Sequence, residues 1–294
     1  MNHLAGSAPL DARNGVVIDG MFFDPETILN REIVASVDTL RETFLANKPF
    51  PHLVIDNLFP VTLLELMNKE FDQIKHRDWR LYDSEDERKY GSLPGTRFGP
   101  ATQLYFSTIH SSPFLSFLER LTGIEGLICD PHLTAGGLHD IPSGGRFALH
   151  LDFNQHPHTH LANRLVFITY LNRNWQSSWG GQLELWDQDA DRCVEKVNPI
   201  LGRTIVFAQS SNSLHGHPTP VSAPDERPRR SAAAYFYSNG RDDGESDEFH
   251  TTIISKPIRA TGPAGINERI RYWIPPAFVD MIRYYKRKRH ASKW

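Results

Sequence analysis

Cysteine is nearly missing from this 294-residue sequence: Cys129 and Cys193 are the only two. At most one disulfide could form, which argues against a secreted scaffold stapled by several bridges and makes a reducing, cytoplasmic setting the expectation. Long apolar runs are missing too. No window approaches the roughly 18 consecutive apolar residues that read as a membrane-spanning helix. The start, M-N-H-L-A-G-S-A-P-L-D-A-R, lacks the basic-then-apolar pattern of an export leader. Nor is there an excess of charge of one sign. The formal net charge is −3, so neither nucleic acid nor an anionic membrane is favoured as a global partner. No internal repeat or low-complexity linker divides the chain, and a single domain over 1–294 is expected.

What is present suits an ordinary core: 39% of residues are hydrophobic and 11% aromatic. Residues 1–23 read as a loose tail, 24–130 as helical and loop support, 131–238 as a strand-rich core, and 239–294 as a C-terminal extension. Asp24-Pro25 opens a helical pattern (Ile28, Leu29, Ile33, Val34, Val37, Leu40, Phe44) that ends near Asn47. A short strand at 51–56 and a second amphipathic helix at 60–74 follow. The charged stretch 82–99, broken by Gly and Pro, reads as a surface loop over the mouth of a site. A helix is expected at 113–122.

Strands are then expected near 133–138, 146–153, 165–171, 182–186, 204–208, 213–216 and 230–237. Turn signals such as N-R-N, W-G-G and P-D-E-R-P separate them, the rhythm of a β-sandwich or barrel. The fold class is therefore mainly β with flanking helices. The C-terminal I-P-P-A-F-V-D-M-I-R-Y-Y-K-R-K-R-H begins a helix with a basic end. That end is either a solvated tail or a peripheral contact for anionic lipid.

The chemistry concentrates in G-G-R-F-A-L-H-L-D-F-N, residues 144–154. On a strand, alternate side chains share a face, so His150 and Asp152 point together and supply two metal ligands. A third is available in S-L-H-G-H as His215, with His217 the competitor. Further on, Arg229 opens R-R-S-A-A-A-Y-F-Y and shares parity with Ser231, Ala233 and Tyr235, whose small members leave room on that face. Arg227 and Arg230 compete with it. Two imidazoles and a carboxylate with open positions suit non-haem Fe(II) holding a bidentate 2-oxo acid and O2, with a guanidinium on the acid's far carboxylate.

These motifs, with R-L-V-F-I-T-Y-L-N-R-N-W, W-G-G-Q-L-E-L-W-D and S-L-H-G-H-P-T-P in order across residues 139–238, resemble the prolyl 4-hydroxylase-like branch of the 2-oxoglutarate- and Fe(II)-dependent dioxygenases. The resemblance implies a double-stranded β-helix (jelly roll) with His150, Asp152 and His215 as iron ligands and Arg229 as the 2-oxoglutarate anchor. It also implies that Tyr170 hydrogen-bonds the same carboxylate, and leaves ascorbate a candidate cofactor. The expected activity is hydroxylation of an unactivated C–H in a prolyl residue, amino acid, natural product or glycan, releasing succinate and CO2. Substrate would be a small molecule or a peptidyl group.

Rival readings are a metal-binding jelly roll without oxygenase activity and a zinc hydrolase; neither needs the carboxylate pocket of Arg229 and Tyr170. His156, His158 and His160 read as a solvated loop. His139 is either pocket wall or structural, Asn154 shares the inward face of Asp152, and Trp179 and Trp186 read as core or rim. No basic groove with interleaved aromatics lies near the site, which disfavours nucleic acid as substrate. A dimer through the N-terminal helices is compatible with the pattern.

Overall fold

The computed structural model describes residues 15–255 apart from 26, 190 and 247. Its elements in chain order begin with β1 (Val16–Ile18), β2 (Met21–Phe23), α1 (Arg31–Ala35), α2 (Val37–Ala46), β3 (His52–Asp56) and α3 (Val61–Glu70). Then come β4 (Trp79–Asp83), β5 (Arg88–Ser92), α4 (Pro100–Ile109), α5 (Ser112–Thr122), β6 (Ile128–Cys129), β7 (Gly137–Ile141) and β8 (Phe147–Leu151). The remainder are β9 (Ala162–Tyr170), β10 (Leu183–Asp187), β11 (Arg192–Val197), β12 (Arg203–Ala208), β13 (His215–His217), β14 (Arg229–Ser238) and β15 (Ile253–Ile254).

Two antiparallel sheets carry the core. The larger runs β3-β12-β9-β14-β7-β5-β4, with β6 added against β14, and the smaller runs β11-β10-β13-β8-β15. The period of two along each strand sorts side chains between two apolar layers. Val166 and Tyr170 of β9 and Ile205 and Phe207 of β12 meet Leu183, Leu185 and Val197 of the smaller sheet. The alternate residues Leu165, Phe167, Val206, Ala232, Ala234 and Phe236 pack against the helices instead. The result is the expected jelly-roll core with helices covering the outer face of the larger sheet.

Several expectations shift. The tail to residue 23 is not loose throughout: Val16–Ile18 pairs with Met21–Phe23, and Ile18 and Phe23 are buried. The first helix starts later and is broken: the Asn30 side chain caps α1 by accepting from the Glu32 and Ile33 amides, and Ser36 leaves helical geometry before α2. The stretch 82–99, expected as a loop, contains β5 and the end of β4, a hairpin that extends the larger sheet through β7. Its strands look loop-like in sequence because β4 is a sheet edge, where charged side chains are the rule.

Helix α4 carries no side-chain cap of its own. Its first amides, Ala101 and Thr102, donate to the two oxygens of buried Glu70 at 2.8 and 2.9 Å. The strand expected at 133–138 is displaced to β7, and β11 and β15 are additions. The basic helix expected at the C-terminus lies outside the described residues. No helix among the described residues is long and apolar enough to cross a membrane.

Candidate active site

Strands β8 and β13 bring the expected triad together. His215 pairs directly with His150 across the ladder, and Asp152 follows one residue beyond the end of β8. Asp152 Oδ1 lies 3.4 Å from His150 Nε2 and Oδ2 lies 3.5 Å from His215 Nε2. One ligand atom from each of the three residues falls within 4.8 Å of the others, and all three residues are buried. Phe147 stacks on the His150 ring at 3.7 Å, and Phe207 meets His215 edge-on at 4.6 Å.

Both imidazoles are oriented from behind by the same local bond. His150 Nδ1–H donates to Ala148 O at 2.8 Å, and His215 Nδ1–H donates to Ser213 O at 2.7 Å. A carbonyl can only accept, so each Nδ1 carries a proton and Nε2 is the nitrogen that faces the site. Gln209 and Ser213, which the sequence patterns did not single out, link the two ligand segments. The Ser213 hydroxyl donates to Gln209 Oε1, and Gln209 Nε2 donates to Asp152 O.

The donor set fits a divalent cation. Burial would raise the Asp152 carboxyl, but His215 and His150 overcome it and hold the group well below the usual carboxylate range. Burial and the neighbouring His215 together lower His150. Among the described residues Asp152 Oδ2 nevertheless has no hydrogen-bond partner, the situation a coordinated metal relieves. Two imidazole nitrogens and a carboxylate oxygen converging on one point are a donor set that suits Fe(II).

Arg229 is buried and lines the inner slot that the triad also lines. Its Nε donates to Gly181 O at 2.7 Å, and its guanidinium lies 5.0 Å from the centre of the Tyr170 ring. The W-G-G motif serves this contact. Gly180 and Gly181 both have φ near +70°, and a Cβ on Gly181 would stand 3.0 Å from Arg229 Cδ. The Tyr170 hydroxyl is buried and has no hydrogen-bond partner among the described residues; burial raises its pKa and Arg229 opposes the rise. Arg230 faces the opposite way, bonded to Asp72, Asp140 and Asn68, while Arg227 is exposed beside Trp179. Of the three arginines, only Arg229 enters the site.

His217 is the last residue of β13 and lines the same inner slot as His215. It lines the inner slot with Arg229, His139, Lys89, Ser231 and Tyr235, outside the metal-ligand group. Burial, followed by Arg229 and Lys89, lowers its pKa, and the same burial and cations lower His139. Asn154 does not face an open cavity: its side chain donates to Glu248 O and accepts from the His250 amide, anchoring the 246–250 segment. Of the three loop histidines, His158 and His160 are exposed as expected, but His156 is buried. Its Nε2–H donates to Asp130, and its Nδ1 accepts from the His158 and Thr159 amides.

Above the triad a cleft of about 480 Å³ opens outward, walled by the β4–β5 hairpin through Arg80, Tyr82, Glu87 and Lys89. Asp152 and Tyr235 line both this cleft and the inner slot, so the triad sits where they join.

Residues 136–237 match the 2OG-Fe(II) oxygenase superfamily. A prolyl 4-hydroxylase from Pseudomonas putida has a similar structure: TM-score 0.50 and 18% identity, covering 69% of this chain and all of that one. A prolyl hydroxylase from Trichoplax adhaerens, solved in complex with a peptide fragment, gives TM-score 0.51 and 16% identity, covering 71% and 93% of the two chains. No curated protein matches the sequence. The His-Asp-His group therefore lies inside a region, residues 136–237, that matches the 2OG-Fe(II) oxygenase superfamily, on a fold like that of the prolyl 4-hydroxylases.

Proposed function

We propose that the enzyme hydroxylates an unactivated C–H of a substrate that enters through the outer cleft. In this reading 2-oxoglutarate, O2 and R–H become succinate, CO2 and R–OH. The observation that supports it is that His150, Asp152 and His215 share one slot with buried Arg229, whose guanidinium lies 5.0 Å from the centre of the Tyr170 ring. In this reading the first three hold the metal, and Arg229 and Tyr170 are the donors for a carboxylate.

When bound, Fe(II) supplies the redox chemistry that joins O2 to the 2-oxo acid and then oxidises the substrate. The chain supplies the geometry. Ala148 O and Ser213 O fix the imidazole rings, and Gln209 holds the backbone at Asp152. Arg229, held by Gly181 O, is turned to receive the far carboxylate of 2-oxoglutarate in a charge-assisted pair. Phe147, Phe207 and the apolar layer around Tyr170 exclude water from the slot.

The cleft offers Arg80 and Lys89 on one side of its charge balance and Asp86 and Glu87 on the other, with Tyr82 among them. That lining suits a polar substrate: a prolyl or other peptidyl residue, an amino acid, a natural-product intermediate or a glycan sugar. A metal-binding protein without turnover, or a zinc hydrolase, gives no role to a buried guanidinium and phenol beside the metal set. The basic C-terminal sequence remains a proposed peripheral contact with anionic lipid, checked by liposome pelleting of the full chain against a truncation after Val279.

The test of the main reading is succinate formation from 2-oxoglutarate over a panel of these substrate classes, with wild-type protein and Asp152→Ala. Wild type should form succinate above an uncoupled background, and the variant should form none in either mode. Succinate production retained by Asp152→Ala would refute the assignment.

A further inference from the structure

Among the described residues, eight buried side-chain atoms have no hydrogen-bond partner; two belong to Asp152 and His217, which line the slot, and a third to Tyr170, whose ring centre lies 5.0 Å from the Arg229 guanidinium. Leaving such a group unsatisfied costs about 1–3 kcal/mol, so their gathering at one place marks where a polar ligand completes the structure. Asp152 belongs to the metal set, and Tyr170 shares the carboxylate end with Arg229. His217 has no role in either account.

Its position is nevertheless constrained. His217 is 4% exposed, lies opposite Phe147 in the β8–β13 ladder, and lines the slot with Arg229. Both histidines of H-G-H line the slot, although the β8–β13 register shifts between them. A Cβ at Gly216 would meet Ala148 O at 2.7 Å, so strands β8 and β13 approach too closely there for any other residue. The backbone thus holds His217 inward beside a buried cation, and its Nδ1 finds no hydrogen-bond partner among the described residues.

Resting on the dioxygenase reading, we propose that His217 is a co-substrate recognition residue, a third donor after Arg229 and Tyr170 that hydrogen-bonds 2-oxoglutarate in the inner slot. An imidazole suits this task beside Arg229 because its ring nitrogen gives a directed N–H on a short, rigid side chain. The alternative is that His217 only fills space between Phe147 and Arg229.

Two variants separate these roles by opposite signs. His217→Leu keeps an apolar volume but removes the donor; His217→Asn restores a donor. Three quantities are measured on full-length protein without oxygen: Fe(II) affinity, 2-oxoglutarate affinity from the absorbance change of the Fe(II)-loaded protein, and urea stability without ligand. A lost hydrogen bond to a charged group predicts that His217→Leu binds 2-oxoglutarate roughly 10- to 100-fold more weakly. Fe(II) affinity and ligand-free stability should be unchanged or, for stability, raised, and His217→Asn should recover most of the affinity. Wild-type 2-oxoglutarate affinity in His217→Leu, or a loss of stability with no change in that affinity, would overturn the proposal. If wild-type protein itself gives no 2-oxoglutarate response, the dioxygenase reading fails and the role of His217 falls with it.

Discussion

Replacing Arg229 with Leu removes the one buried cation at the foot of the slot, and the structure sets the size of the effect. Arg229 is 3% exposed, and the bond that fixes it is donated by Nε, so the terminal amino groups face the Tyr170 side of the cavity. Truncating one member of a buried, hydrogen-bonded charge pair costs about 2–5 kcal/mol of binding. That range corresponds to 2-oxoglutarate binding roughly 30- to 5,000-fold more weakly. At a concentration of about 100 times the wild-type Kd, 2-oxoglutarate stabilises the wild-type fold by about 2.7 kcal/mol. At the same concentration the variant retains less than about 1 kcal/mol of that stabilisation. Ligand-free stability should be close to wild type, because losing a desolvated cation offsets the orphaned Gly181 carbonyl. The assay is urea denaturation of Mn(II)-loaded protein with and without 2-oxoglutarate. Equal ligand-induced stabilisation of variant and wild type would show that the carboxylate is held elsewhere.

Two further predictions concern the scaffold. Glu70→Ala removes both acceptors of the α4 amides and should cost about 3 kcal/mol in urea denaturation, with Glu70→Gln costing less; an unaffected midpoint would contradict the cap. Gly216→Ala forces a Cβ against the Ala148 carbonyl and 3.0 Å from Leu149 Cα, which should part His215 from His150. Expected are a loss of about 1–3 kcal/mol in stability and a clear drop in Fe(II) affinity by anaerobic titration. Wild-type iron binding in Gly216→Ala would rule out the close approach as the reason for that glycine.

The core was legible because its signals are local and periodic. The 144–154 segment, S-L-H-G-H and R-R-S-A-A-A-Y-F-Y each announce a strand whose inward residues can be counted by twos, and His150, Asp152, His215 and Arg229 fall on that count. What was not legible depends on partners distant in sequence. Nothing near Pro100 announces that Glu70 caps α4 from 31 residues away. The β4–β5 hairpin carries the charges of an exposed loop because only β7, far along the chain, gives it a sheet to join. His156 looked solvated because its acceptor, Asp130, precedes it by 26 residues. Gln209 and Ser213 carry no metal or acid–base signature, and their link to Asp152 exists only once β12 and β13 have folded beside β8.

The central claim is that one slot of the barrel holds both Fe(II) and 2-oxoglutarate, and its most direct test is anaerobic titration of metal-free protein with Fe(II) followed by 2-oxoglutarate. The wild-type chain should bind one Fe(II) and develop a visible absorbance band only when 2-oxoglutarate is added. Asp152→Ala should lose the iron, and Arg229→Leu should keep the iron but lose the band at concentrations that saturate the wild type. A wild-type protein that takes up Fe(II) without any 2-oxoglutarate-dependent band, or an Arg229→Leu variant with an undiminished one, would contradict the account.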